Sequence, residues 1–313
     1  MNKETMQLVA DIGGTNVRFA CVYPDDDNLH NISNMECADF PQAEDAIARY
    51  LATLPANCIT RMCLAVAGPV TQDTVALTNN TWTISKSGLQ QKFGVEVLVI
   101  NDFSAQAYCL DMLKPEELEW LGAPRPTGEN LRVVIGPGTG LGVAAITAAG
   151  KVIATEGGHV SFAPQNPHEI ALLQELWKHY PHVSAELVVS GQGLCNLYRA
   201  NNPQEAFAVE MDPAAITAGA LDDDTKSLQA VKDFLAILAA VAGDYAMAMG
   251  ALDGVYITGG ILPRITTLID RELFRTRFVA KGQFETYCST IPLAFIHADN
   301  TGLRGCVGAL RRN

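Results

Sequence analysis

Leu8-Val9-Ala10-Asp11-Ile12-Gly13-Gly14-Thr15-Asn16-Val17-Arg18-Phe19 is the stretch that decides the fold. A short apolar run ends on an acid, two glycines and a threonine follow, and a second apolar run begins. The pattern predicts strand, tight turn, strand. Glycines let such a turn take positive φ and bring backbone N–H groups close to a ligand. Thr15 and Asn16 add side-chain donors, and Asp11 at the strand tip is placed to hold a hydrated cation. Together these groups suit a nucleotide phosphate with its Mg²⁺. The stretch reads equally as an ordinary β-hairpin whose glycines serve only the turn, because short glycine motifs recur by chance.

About 125 residues further on the device recurs. Residues 131–135 read as a strand, Gly136-Pro137-Gly138-Thr139-Gly140-Leu141-Gly142 as a glycine-rich turn, 143–148 as the return strand and 151–154 as a third. A β-meander that occurs twice, each time followed by αβα units, predicts an α/β protein. The expected architecture is two ribonuclease H-like (actin-like) α/β domains flanking a cleft, with a nucleotide in the cleft. The expected boundaries are 1–112 plus 298–313 for a small domain and 113–297 for a large one. Fold analogy of this kind does not by itself establish function. The 136–142 loop fails the GxGxxG spacing, and no GxxxxGK[ST] occurs in the chain, which removes the signatures of Rossmann oxidoreductases and P-loop kinases.

Between the two devices, residues 34–38 read as a short strand. Residues 44–54 carry apolar side chains at helical spacing and are closed by Pro55. Residues 61–67 read as a strand stopping at Gly68-Pro69. Val75-Ala76-Leu77-Thr78-Asn79-Asn80-Thr81-Trp82 reads either as a surface loop or as part of a sugar-binding wall. Residues 85–93 are predicted helical, with Gly94 as the stop. The strand at 95–100 runs into Asn101-Asp102-Phe103, a polar pair where open α/β sheets bind ligands. The alternative is that Asp102 only caps a helix over 104–113. Residues 114–128 read as a crossover between domains.

After the second device comes Glu156-Gly157-Gly158-His159, then a predicted helix over 167–180. Ser190-Gly191-Gln192-Gly193-Leu194 reads as a loop leading into a helix through 200, and 201–224 as a solvated, mobile connection. A long apolar helix around 228–252 leads to a strand at 254–257 that ends on Thr258-Gly259-Gly260, a glycine pair placed to bracket an adenosine. A strand at 291–297 and a helix at 302–312 close the chain.

The 313 residues are 48% hydrophobic and 18% charged, as in a globular protein with a sizeable core. A net charge of −12 and a pI of about 4.9 argue against a nucleic-acid surface. The eight cysteines form no CxxC pair and no zinc-type spacing with histidine, so they read as reduced, mostly buried thiols of a cytoplasmic protein. The N-terminus has no apolar signal-peptide run. The apolar stretch 234–252 holds Asp244 near its middle, at an insertion cost of about 2.5–3.5 kcal/mol, and reads as a buried helix rather than a membrane span.

In conjunction these motifs are more specific than any one of them. Nearly the whole chain resembles the bacterial glucokinase family, proteobacterial type, within the hexokinase/actin-like superfamily. The resemblance is carried by Asp11-Ile12-Gly13-Gly14-Thr15-Asn16, Thr78-Asn79-Asn80-Thr81-Trp82, Ile100-Asn101-Asp102-Phe103, Gly138-Thr139-Gly140-Leu141-Gly142, Glu156-Gly157-Gly158-His159, Ser184-Ala185-Glu186 and Gly259-Gly260.

The resemblance implies ATP-dependent phosphorylation of glucose at its 6-hydroxyl. It implies that Asn101, Asp102, Glu156, His159 and Glu186 bind the sugar and that Asp102 is the general base. The turns Gly13-Gly14-Thr15 and Gly138-Thr139-Gly140 would hold phosphates, with Asp11, Asn16, Gly259 and Gly260 completing the nucleotide side and Asp11 holding Mg²⁺ through water. A ring of hydroxyls suits this donor and acceptor set, and phosphoryl transfer needs positioning and charge neutralisation above all. His159 reads alternatively as a structural histidine satisfied by its neighbours.

The expected small-molecule partners are glucose and ATP, with a homodimer left open and no nucleic acid or membrane. Two departures from related sequences stand out. No cysteine lies between His159 and Cys195, so the zinc site of the related ROK proteins is not expected, and Gln192 stands where relatives often have proline. Two alternatives remain at this stage. One is a kinase for another hexose. The other is a non-catalytic sugar-binding regulator, against which the ten residues before Asp11 leave no room for a helix-turn-helix.

Overall fold

The computed structural model describes residues 5–78, 80–204 and 211–312. Asn79 of the amide-rich run and residues 205–210 of the expected mobile connection lie outside the described residues. The chain divides into two compact units, Met1–Lys114 with Ala298–Asn313, and Pro115–His297.

In the first unit, β1 (Met6–Ile12) and β2 (Asn16–Val22) make the predicted hairpin, with Asp11 opposite Arg18 and Ile12 opposite Val17. Leu8, Ala10 and Ile12 face one core and Val9 the other, so β1 is apolar on both faces. β3 (His30–Glu36) starts well before the predicted 34–38; it is a sheet edge, and its polar sequence hides it from a hydrophobicity reading. α1 (Ala43–Leu51) follows, then β4 (Ile59–Val66), parallel to β1.

A two-stranded ribbon, β5 (Thr74–Ala76) and β6 (Thr83–Ser85), brackets the stretch read as loop or wall, with β5 taking its first two residues; three-residue strands are too short to show a period. α2 (Lys86–Phe93) begins on Ser85, whose Oγ accepts from Gly88 N–H at 3.0 Å, and stops at Gly94 with φ +68°. β7 (Glu96–Asn101) lies parallel to β4, and α3 (Asp102–Cys109) follows without a break. The sheet order is β3-β2-β1-β4-β7.

The second unit opens with β8 (Leu118–Trp120), inside the stretch expected to be a bare crossover, paired antiparallel with the unit's last strand. β9 (Arg132–Pro137), β10 (Leu141–Ile146) and β11 (Val152–Ala154) form the second meander. Gly136, Pro137 and Leu141 belong to strands, so the turn is only Gly138-Thr139-Gly140. Then come α4 (Pro167–Leu176), α5 (Gly191–Asn201), α6 (Pro213–Leu221) and α7 (Thr225–Met249). Two readings are corrected here. Residues 191–194 are the first turn of α5, because the Ser190 side chain caps Gly193 N–H at 2.9 Å; and part of 201–224 is helix, capped by Asp212.

β12 (Val255–Ile257), α8 (Arg271–Val279), α9 (Glu285–Ser289) and β13 (Leu293–Ile296) complete the unit. The order β11-β10-β9-β12-β13-β8 repeats the first sheet with one strand added at the edge. α7 is buried along most of its length, and no helix among the described residues is long and apolar enough to cross a membrane. The eight cysteines are free and buried.

α10 (Thr301–Arg312) returns to the first unit and packs on α3. Its glycines recur every third residue at 302, 305 and 308. A Cβ on Gly305 would overlap Ala105 O, and one on Gly308 would come within 3.0 Å of Tyr108 O. The stripe therefore lets two backbones approach where any side chain would hold them apart.

Candidate functional site

In the first unit the parallel strands β1, β4 and β7 end together, and the predicted polar residues lie at or just beyond those ends. Asn101, not Asp102, is the N-cap of α3: its Oδ1 accepts from Phe103 N–H at 2.9 Å and Ser104 N–H at 3.1 Å. Its Nδ2 donates to Gly68 O at 3.1 Å and to Asp102 Oδ1 at 2.8 Å. Asp102 Oδ1 also accepts from Phe103 N–H at 2.9 Å, while Oδ2 has no hydrogen-bond partner among the described residues.

The Asp102 carboxylate is half-buried, and burial pushes its pKa up to about 6. Phe103 N–H pulls the value down, the nearby Asp11 charge raises it again, and the Asn101 amide lowers it. An acid titrating there is ionised at neutral pH and still a competent proton acceptor.

Asp11 is half-buried at the tip of β1, and its carboxylate has neither a hydrogen bond nor a salt bridge among the described residues. Burial raises its pKa and Arg18 across the hairpin pulls it back. A Cβ on Gly302 would stand 2.6 Å from Asp11 Oδ2, so the first turn of α10 lies directly against this carboxylate. An anion is favoured at that end of a helix. Gly302 escaped the sequence reading; the Gly-x-x-Gly-x-x-Gly spacing of the last helix is the signal that marks it.

Gly13, Gly14, Thr15 and Asn16 form the hairpin turn, closed by Gly13 N–H to Asn16 O at 2.9 Å. Neither glycine adopts positive φ, which corrects the conformational reason first given for them. The amide-rich run packs on this turn: Asn80 Nδ2 donates to Gly14 O at 3.2 Å, and Asn80 Oδ1 accepts from Trp82 N–H at 2.9 Å.

In the second unit the turn Gly138-Thr139-Gly140 is closed by Gly138 N–H to Gly140 O at 2.8 Å, again without positive φ. Gly140 has a different reason to be glycine: a Cβ there would overlap Glu186 Oε2. That oxygen accepts from Leu141 N–H at 2.8 Å. Glu186 Oε1 lies 3.9 Å from His159 Nδ1, with the histidine side chain 62% exposed and the glutamate 30%.

Glu156 is exposed just before the short 3-10 turn Gly157–His159, and its carbonyl accepts from His159 N–H at 3.0 Å. Tyr245 OH donates to Gly157 O, and a Cβ on Gly158 would overlap Leu141 O. Burial raises the Tyr245 pKa, so the phenol remains a donor. Thr155 Oγ1 donates to Val143 O at 2.7 Å and accepts from Gly157 N–H at 3.1 Å. No local sequence signal points to Tyr245, which comes from the middle of α7.

Gly259, at φ +107°, is pressed against Pro137 O, so the glycine pair after β12 lies beside the turn that follows β9; Gly260 is exposed. The structure thus brings Asp11, residues 13–16, Asn101 and Asp102 to the strand ends of one unit. It brings residues 138–140, His159 and Glu186 together in the other, with Gly259 packed on the end of β9.

A family model described as glucokinase matches residues 8–313. A glucokinase of Chromohalobacter salexigens is 41% identical over 308 residues, covering 97% of each chain. The crystal structure of a glucokinase from an Antarctic psychrotroph has a TM-score of 0.87 and 37% identity, covering 98% of this chain and 99% of that one. A glucokinase from Balamuthia mandrillaris, solved in complex with glucose, has a TM-score of 0.84 at 21% identity over 99% of this chain and 94% of that one, a likeness of fold alone.

Proposed function

This chain belongs to the glucokinase family, with its two-domain actin-like fold, and is a glucose kinase; we propose that ATP is its donor and that Asp102 is the base that frees the sugar's 6-hydroxyl to attack. In the reaction a bond forms between O6 of glucose and the γ-phosphorus, the bond from that phosphorus to the β–γ bridging oxygen breaks, and ADP leaves. The 6-hydroxyl proton passes to Asp102 Oδ2. The observation that carries this reading is the Asp102 carboxylate itself: one oxygen is fixed by Phe103 N–H and the Asn101 amide, the other is unclaimed among the described residues, and its pKa is about 6.

The other roles follow from the same reading. Asn101, Glu156, His159 and Glu186 hold the remaining hydroxyls. The turns 13–16 and 138–140 hold phosphates through backbone N–H groups; those of Gly14, Thr15, Thr139 and Gly140 have no partner among the described residues. Gly259 and Gly260 border the adenosine. Asp11 fits a hydrated Mg²⁺, because its half-buried carboxylate lacks a hydrogen bond or salt bridge of its own among the described residues. When bound there, the ion supplies neutralisation of phosphate charge.

A coupled assay of ADP release with ATP across a panel of hexoses tests the reading. A misplaced hydroxyl leaves a polar group of the site unpaired, at about 1–3 kcal/mol, so glucose is expected to exceed its epimers at least tenfold in kcat/KM. Equal turnover of galactose or of mannosamine derivatives would overturn the glucose assignment.

A further inference from the structure

We propose that Glu186 is a positioning residue for the phosphate-binding turn as well as a sugar ligand, so that one side chain ties the two substrates together. The proposal rests on the reading just given and deepens it. Three segments of the second unit converge on Leu141, the first residue after the turn. Its N–H is taken by Glu186 Oε2 at 2.8 Å, and its carbonyl lies against Gly158, where a Cβ would overlap it. Glu186 N–H in turn donates to Gly158 O at 2.8 Å.

The turn is held from its other end as well, since Gly138 O accepts from Gly191 N–H at 2.8 Å, five residues along the chain from Glu186. Gly140 is small because the carboxylate occupies the space beside it. The second carboxylate oxygen is turned toward His159, 3.9 Å from Nδ1, beyond hydrogen-bonding distance. Glu186 therefore presents one oxygen to the phosphate turn and one to the sugar side. Removing the carboxylate leaves the Leu141 N–H without an acceptor and takes away one of the turn's two anchors. Binding coupled through one side chain is reciprocal, so sugar changes nucleotide affinity by the same factor as nucleotide changes sugar affinity.

The test is calorimetry on the full chain, with a non-hydrolysable ATP analogue titrated without sugar and glucose titrated without nucleotide. Glu186→Ala is expected to weaken the analogue at least about tenfold, whereas Glu186→Gln, whose amide oxygen can still accept from Leu141 N–H, stays within about threefold of wild type. Both variants should weaken glucose about tenfold or more.

A ligand that only binds sugar would leave the analogue unmoved in Glu186→Ala; that result, or equal damage to the analogue in the two variants, overturns the proposal. Unchanged glucose affinity beside a weakened analogue overturns the tie between the substrates at its sugar end, which is a failure of the earlier reading of Glu186 as a sugar ligand rather than of its brace on the turn. Gly140→Ala supplies an independent route should the Glu186 variants not fold. Its Cβ must displace the carboxylate, so glucose affinity falls although residue 140 lies on the phosphate turn; unchanged glucose affinity in that variant overturns the proposal.

Discussion

In the first unit Gly13 N–H closes its turn on Asn16 O at 2.9 Å, and in the second Gly138 N–H closes on Gly140 O at 2.8 Å. The closures match; the surroundings do not. Beside the first turn, a Cβ on Gly13 would meet only Asn16 O at 3.4 Å, an ordinary contact, and the nearby carboxylates are left unclaimed: Asp11 entirely and Asp102 at one oxygen, among the described residues. Beside the second turn the carboxylate of Glu186 is already at work, holding Leu141 N–H and filling the space above Gly140. One duplicated device has thus been finished in two ways. The first half leaves acid oxygens without hydrogen-bond partners among the described residues, and the second uses its acid to brace the backbone.

Replacing acid by amide in each half separates the two uses. Asp102→Asn keeps the size of the side chain and its acceptor for Phe103 N–H, but it cannot take a proton. Loss of a general base costs about 10²–10⁴ in rate, so kcat should fall at least a hundredfold. Glucose affinity should change by less than about tenfold, or 1.4 kcal/mol. The same change at Glu186 is expected to act on glucose affinity instead. Steady-state kinetics and calorimetry on one preparation decide the matter: survival of kcat in Asp102→Asn removes the base, and collapse of glucose affinity together with kcat makes Asp102 a ligand first.

The glycines give a second contrast. Gly140→Ala pushes the Glu186 carboxylate off Leu141 N–H and should destabilise the protein by about 1.5–3 kcal/mol, the worth of a hydrogen bond to a charged group. Gly13→Ala meets no such obstacle and should remain within about 0.5 kcal/mol of wild type. Thermal melts without ligands compare the two, and equal shifts would mean that the second turn is no more braced than the first.

The inner strands of both meanders, β1, β2, β9 and β10, were legible because buried parallel and hairpin strands here are nearly continuous apolar runs, as at 8–12 and 131–135. So was the placing of Asn101-Asp102 at a strand end, although which of them caps the helix was not: Asn and Asp are equally good caps, and only the backbone angles choose. The polar edge strand β3, the short ribbon β5–β6 and the helices α8 and α9 were illegible because short or polar elements owe their form to tertiary pairing. At the two turns the glycines are not there for positive φ. Gly140 and Gly158 are needed for close approach, to Glu186 and to Leu141, and an approach between segments far apart in sequence leaves no local trace.

The free acid of the first half should also set the pH profile. Asp102 must be ionised to accept a proton, and its pKa stands at about 6. kcat/KM is therefore expected to fall with a limiting slope of one log unit per pH unit below about pH 6, roughly tenfold by pH 5. A profile flat down to pH 5 would show that the group is an ordinary carboxylate or that it is not the base.

The smallest effect concerns stability, and its sign runs against intuition. The fold raises the Asp102 pKa from 3.8 to about 6, so it favours the protonated acid. That contribution is fully present below pH 3.8 and is lost as the pH rises through about 6; at neutral pH the ionised carboxylate is a net cost to the folded state. Two pKa units set a ceiling of about 3 kcal/mol. Partial solvent access lowers it, leaving about 1 kcal/mol. Asp102→Asn, which removes the charge but keeps the acceptor for Phe103 N–H, should therefore melt higher than wild type at pH 7.5, and the gain should vanish near pH 3.8. The variant that destroys turnover would then be the more stable protein. A lower melting temperature at pH 7.5 would mean that the carboxylate is held by favourable contacts rather than by enforced burial, and the comparison between a free acid in one half and an engaged acid in the other would fail at Asp102.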